Sequence, residues 1–166
     1  MDLRLVHLST GWTVVLDCAV WAVGGTAIGF LTNKLSVERF ADDSALTRLR
    51  GWEVDGRHYE RRWAIKRWKR WLPEAGDMFG DGFNKRGLLA ADPAYLERFV
   101  METRRAEVTH WWVLALGPLF VLWNPLWLAV VMNVYAVLAN VPCLVVQRYN
   151  RARLTRVLAR ARRRLA

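Results

Sequence analysis

Two cysteines in 166 residues, Cys18 and Cys143, are too few for a disulfide framework and carry no metal-binding spacing. Both fall in apolar stretches, where a thiol serves as packing. Acid is also in short supply: 15 Asp plus Glu face 25 Lys plus Arg, a formal charge of +10. The glycines at Gly76, Gly80, Gly82 and Gly87 fit neither recognised nucleotide-binding spacing. A cofactor and a metal ion are therefore not expected. Nor does the basic excess point to nucleic acid, although Lys and Arg neutralise phosphates, because its distribution along the chain has a nearer explanation. Sixteen basic residues lie between Thr32 and Ala106, eight follow from Arg148 onward, and only Arg4 precedes the first apolar stretch.

What is abundant is apolar and aromatic. Ten Trp and 54% hydrophobic residues beside that charge describe a small membrane protein better than a soluble core, since Trp and Tyr favour the bilayer interface. Residues 11–31 are long enough to span. Their flank lacks a basic cluster, Asp17 interrupts the apolar run and no small-x-small cleavage site follows, so the span is expected to be retained. Asp17 either faces protein, water or a partner, or lies near enough the outer interface to be hydrated. Further on, about forty apolar residues are broken at Asn124-Pro125, where roughly 20 would cross the bilayer. This predicts a hairpin with spans at 108–123 and 126–146, the latter interrupted at Asn140-Val141-Pro142.

The expected fold is thus an all-α integral membrane protein with about three transmembrane helices, one N-terminal span plus a C-terminal hairpin, in a single membrane domain over 1–166. Basic residues gather on the cytoplasmic side, which places the region 32–106 and the tail 148–166 inside and the N-terminus outside. Interfacial helices complete it. From Tyr59 to Gly76 the run predicts one amphipathic helix, with Ala64, Ile65, Trp68, Trp71 and Leu72 on one arc and Arg62, Lys66, Lys69 and Arg70 opposite. Asp92-Pro93 signals a helix start, and the tail pattern of Leu154, Val157 and Leu158 among Arg predicts binding to anionic membrane lipid.

Polar chemistry collects at the two mouths of the hairpin. Glu102, Ala106 and His110 are spaced by four, and Glu107 lies three before His110. A carboxylate beside an imidazole can orient it and activate a hydroxyl. Arg104 and Arg105 face elsewhere and could meet phosphate. The antiparallel return brings Asn140, Gln147, Arg148, Asn150 and Arg151 toward the same membrane face. The bland alternative is that His110, directly before Trp111-Trp112, is an interfacial residue among anchoring charges. Asn84 and Lys85 sit in the Gly-rich segment, which is either a phosphate cradle or a plain turn.

These stretches carry a resemblance. ETRRAE-xx-HW from Glu102, AN-x-P from Ala139 to Pro142, QRYNR-x-RL from Gln147 to Leu154, and the segments WKRWLPEAG and GFNKRGL are similar to the glycosyl-4,4'-diaponeurosporenoate acyltransferase family, over roughly Trp63 to Leu158. Ala152 stands where the family pattern has Pro. The resemblance implies an acyltransferase of a bacterial cytoplasmic membrane that moves a fatty acyl group onto the 6-hydroxyl of a glucose on a carotenoid-type lipid. The acceptor could equally be another glycolipid. It implies, as partners, membrane lipids, a glycosylated acceptor and an acyl thioester donor such as acyl-CoA or acyl carrier protein, and no nucleic acid. His110 would be the base, oriented by Glu107 or Glu102. Arg104, Arg105, Arg148 and Arg151, with Asn84 and Lys85, would hold a donor phosphate or oxyanion, and Gln147, Asn140 and Asn150 would contact sugar hydroxyls. The alternative from another class is a non-catalytic protein that binds anionic lipid or scaffolds a biosynthetic complex.

Overall fold

The computed structural model describes residues 4–72 and 93–165. Asn84, Lys85, the Gly-rich segment and the helix start at Asp92 lie outside them. Among the described residues every regular element is helical. Helix α1 is Thr10–Lys34 with a π-helical turn at Val20–Gly24. Short helices α2, Arg57–Arg62, and α3, Ile65–Trp68, follow. Then come α4, Pro93–Leu114, a 3-10 stretch Gly117–Leu122, and α5, Leu126–Leu165. Two compact units result: Met1–Lys34 with Thr109–Pro142, and Leu35–Val108 with Cys143–Ala166. Helices α4 and α5 each supply residues to both.

In the first unit α1 is joined to the hairpin tip by polar groups. Asp17, 5% exposed, accepts hydrogen bonds from Trp123 Nε1 at 2.7 Å and Asn124 Nδ2 at 2.8 Å. The carboxylate thus faces protein, the first of the options its sequence position left open, and both donors sit at the Trp-Asn-Pro break that makes the turn. Around it Trp21 stacks on Phe120 with centroids 4.9 Å apart, and Tyr135 meets Trp21 edge-on at 5.3 Å.

The stretch 108–123 is not one helix. Pro118 has no N–H for the Leu114 carbonyl, so α4 stops at Leu114 and the chain tightens into the 3-10 turn. Because a 3-10 turn rises about 2.0 Å per residue against 1.5 Å for α, residues 109–122 still reach roughly 24 Å. Gly117 permits close approach here: Asn133 Nδ2 donates to its carbonyl at 3.1 Å, and a Cβ on it would lie 2.7 Å from Asn133 Oδ1. Pro142, by contrast, does not interrupt α5, which runs through it unbroken. A single proline removes one backbone bond, and Asn140 Nδ2 adds another one turn upstream, to the Ala136 carbonyl at 2.9 Å.

Two helices, Thr10–Lys34 and Leu126–Arg163, are long and apolar enough to cross a membrane, and only 6% and 28% of their apolar windows are buried. A core helix of a soluble protein would be mostly covered. Instead Trp12, Val23, Leu31, Trp127, Val130 and Leu138 stand outward, an apolar surface that water does not favour.

The second unit is built on α4 against the end of α5. Leu96, Phe99, Val100 and Leu154 form its core, with Leu158 and Ala161 packed on them. Of the apolar stripe of the tail, Leu154 and Leu158 are therefore covered by α4, whereas Val157 is 44% exposed. The amphipathic helix expected from Tyr59 onward is broken at Ala64, whose φ of 46° is left-handed. That conformation costs an L-residue roughly 1–2 kcal/mol. Two contacts hold the break: Trp68 Nε1 donates to the Trp63 carbonyl at 2.8 Å, and the turn drives Ile65 to full burial. Trp71 is left 77% exposed, off the face predicted to pack with Ile65.

Candidate functional site

Two polar clusters gather the residues singled out from sequence, one in each unit. In the first unit α4 presents His110, half-buried, and α5 presents Asn140, 5% exposed. His110 Nδ1 lies 3.0 Å from Asn140 Oδ1. One residue before His110, Thr109 Oγ1 is 2.8 Å from Thr32 Oγ1 of α1, and Thr32 is itself anchored on the Ile28 carbonyl at 2.8 Å. The imidazole is held on one edge only: His110 Nε2 has no hydrogen-bond partner among the described residues.

In the second unit Glu107, fully buried, accepts from Arg148 Nη1 at 2.6 Å and from Arg151 Nη2 at 2.5 Å. Both of its oxygens are thus spent on arginine, and Glu102 pairs with Arg105 at 2.6 Å. The orienting partner of His110 is therefore Asn140 and neither carboxylate. The i,i+3 spacing of Glu107 and His110 puts them on adjacent faces, and an arginine pair makes a stronger claim on a buried carboxylate than a neutral imidazole.

Arg148 also reaches Glu53, with Nε at 2.6 Å and Nη2 at 2.7 Å, and the carbonyls of Leu46 at 3.0 Å and Arg48 at 2.8 Å. Tyr59 donates its hydroxyl to Glu53 as well. Two arginines against two carboxylates leave this buried cluster neutral, as burial requires. Arg151 uses Nη2 on Glu107 and on the Thr47 carbonyl at 2.5 Å, while its Nε and Nη1 are buried with no partner among the described residues. Burial pushes its pKa down despite Glu107, whereas the hydrogen bond to Glu53 raises that of Arg148. Burial raises Glu102 beyond what Arg105 and Arg98 can offset, and burial followed by donation to Glu53 raises Tyr59. Glu53 and Thr47 lie in the stretch 32–58, which carries no motif, and Tyr59 only opens the amphipathic run, so no sequence signal points to this cluster.

The same cluster yields a pH expectation. Burial works against the Glu53 carboxylate, yet hydrogen bonds from Arg148, Tyr59 and the Arg50 N–H outweigh it and hold the pKa at about 2 against an ordinary 4.5. A depressed acid stabilises the fold above its unfolded pKa and loses that contribution as pH falls toward the folded one. A depression from 4.5 to about 2 corresponds to roughly 3 kcal/mol. Thermal unfolding in detergent is expected to show stability falling between about pH 4.5 and 2, with a smaller loss over that window in Glu53→Gln.

The remaining candidates are engaged or stand apart. Arg104 is tied to Asp43 at 2.7 Å and to the carbonyls of Phe40 and Ala41. Asn150 receives Lys69 at 3.5 Å, a long contact, and Gln147 is half-buried with no side-chain hydrogen bond among the described residues. Missed from sequence is a cavity of about 350 Å³ in the second unit, lined by Trp52, Asp55, Arg57, His58, Arg61 and Arg62. Asp55 meets Arg57 at 3.7 Å; Arg61 and Arg62 have no acidic partner among the described residues. Among those residues no group of three or more His, Cys, Asp or Glu could hold a metal ion.

What this arrangement can do chemically is accept a proton on an imidazole of fixed orientation and bind an anion at exposed guanidiniums. Comparison with known proteins bears on it. A family model described as glycosyl-4,4'-diaponeurosporenoate acyltransferase matches residues 42–160. Curated proteins of that name from Staphylococcus aureus strains bovine RF122 / ET3-1 and N315 are 27% identical over 145 residues, 87% of either chain. The protein of strain Newman is 27% identical over 139 residues, 83% of either chain. No solved structure matches.

Proposed function

Because the chain belongs to the glycosyl-4,4'-diaponeurosporenoate acyltransferase family and is an acyltransferase, we propose that it esterifies a sugar hydroxyl of a glycosylated carotenoid with a fatty acyl group. With membership in an enzyme family, the alternative of a non-catalytic lipid-binding protein falls away. The observation that carries the chemistry is His110, whose Nδ1 is bound to Asn140 and whose Nε2 has no partner among the described residues. An alcohol is a weak nucleophile until its proton is taken. In the proposed reaction the sugar hydroxyl gives its proton to His110 Nε2 as its oxygen attacks the carbonyl carbon of an acyl thioester. The carbon–sulfur bond breaks, and the imidazolium returns the proton to the departing sulfur. An ester and a thiol result, with no change of oxidation state.

Arg104, Arg105, Arg148 and Arg151 are engaged in ion pairs, whereas Arg61 and Arg62, with no acidic partner among the described residues, are guanidiniums of the second unit open to an anion. The outward apolar faces of α1 and α5 support a multi-pass protein of a bacterial cytoplasmic membrane. The sixteen and eight basic residues of the middle region and tail then lie in the cytoplasm.

The test is expression in a strain that makes a glycosylated carotenoid, followed by mass spectrometry of its lipids. The glycoside is expected to gain one fatty acid less water. An ester found only on other glycolipids would replace the carotenoid as acceptor, and no new ester on any glycoside would overturn the reading.

A further inference from the structure

Asn140 was expected from sequence to contact sugar hydroxyls, but its side chain is already committed. It is 5% exposed. Its Nδ2 donates to the Ala136 carbonyl at 2.9 Å, and its Oδ1 faces His110 Nδ1 at 3.0 Å. The first contact decides the second. A backbone carbonyl only accepts, so the amide NH₂ must point to it, which turns the amide oxygen toward the imidazole. That oxygen also only accepts, so His110 Nδ1 must carry the proton, and in the neutral ring the lone pair then sits on Nε2.

We propose that Asn140 is a positioning residue, which acts through His110 by holding the Nδ1–H tautomer and aiming Nε2 as the base. The inference rests on the reading of His110 as base and gives that base its chemical form. An amide suits the task because it accepts the Nδ1 proton without adding charge. A carboxylate would favour the charged imidazolium, which has no lone pair to offer. Titratable and charged groups nearby agree with a neutral ring. On α4 Glu107, one turn earlier, is spent on Arg148 and Arg151. On α5 Cys143 lies one turn beyond Asn140, and α1 contributes Thr32, which does not titrate, to neighbouring Thr109.

The test needs no knowledge of the donor. In the full chain labelled with ¹⁵N-histidine in detergent, the resonances absent from His110→Gln belong to His110. Their shifts are expected to mark a protonated Nδ1 and a bare Nε2 at neutral pH. Asn140→Ala is expected to mix in the Nε2–H form, and Asn140→Asp to restore Nδ1–H and move the titration of His110 to higher pH. In cells making the glycoside, ester formation is expected to fall about 10- to 100-fold in Asn140→Ala, part of what a placed base contributes. Membrane level and helix content should be kept, and raising the glycoside level should not restore the rate. A tautomer unchanged in Asn140→Ala would overturn the inference and leave His110 as base, whereas an Nε2–H tautomer in the unsubstituted protein would overturn it together with the assignment of Nε2 as the proton acceptor. Rescue by extra glycoside would return Asn140 to sugar contact. Full turnover in His110→Gln would instead remove the underlying reading, whatever the tautomer.

Discussion

Replacing His110 with alanine is expected to lower acyl transfer by roughly 10²- to 10⁴-fold, the range a positioned general base contributes, while the protein still accumulates in the membrane. The expectation rests on what the residue touches. Its Nδ1 is bound to Asn140 at 3.0 Å and its Nε2 meets nothing among the described residues, so the ring has one edge anchored and one edge open. A histidine that served only to brace the hairpin would gain by using both. Alanine leaves Asn140 Oδ1 buried without a donor, which costs about 1–3 kcal/mol, so loss of activity alone would be ambiguous. His110→Gln removes the ambiguity: its amide can still donate to Asn140 but is no base. Equal loss of ester in the two variants at unchanged protein level is the expected result, and normal ester formation in His110→Gln would take the imidazole out of the chemistry.

Much of the helical frame was legible because long apolar runs have few alternatives. Residues 11–31 became α1, Thr10–Lys34, and the Asn124-Pro125 break became the turn before α5. What escaped was decided by contacts distant in sequence. Nothing local says that Ala64 turns left-handed; the Trp68 indole and the burial of Ile65 settle it. Likewise Glu53 meets Arg148 across 95 positions, a pairing invisible to any helical wheel. The pairing of Glu107 does leave a mark in the sequence. Glu107 is the last acidic residue in the chain, and eight arginines follow from Arg148 on. Arg148 and Arg151, the first two of them, take both of its oxygens, so its spacing from His110 marks no contact.

That claim makes Glu107 the site of the largest expected loss of stability. Glu107→Ala strips Arg151, 1% exposed, of its counter-charge and leaves it the Thr47 carbonyl as acceptor, with Nε and Nη1 already without a partner among the described residues. Arg148 suffers less, since Glu53 and two carbonyls still hold it. Breaking one side of a buried pair costs about 3–5 kcal/mol, a large share of the 5–15 kcal/mol typical of a folded domain. A sharp fall in membrane level and in the unfolding temperature in detergent is therefore expected. Removing both charges separates the roles. In Glu107→Leu with Arg151→Met, apolar groups replace the pair, and most of the stability should return. If ester formation returns with it, the pair is a structural clasp between α4 and α5 within the second unit. If the double variant is stable and inactive, the unused donors of Arg151 are what the reaction requires. If Glu107→Ala alone is stable, the buried pair is not what holds α5 in this unit.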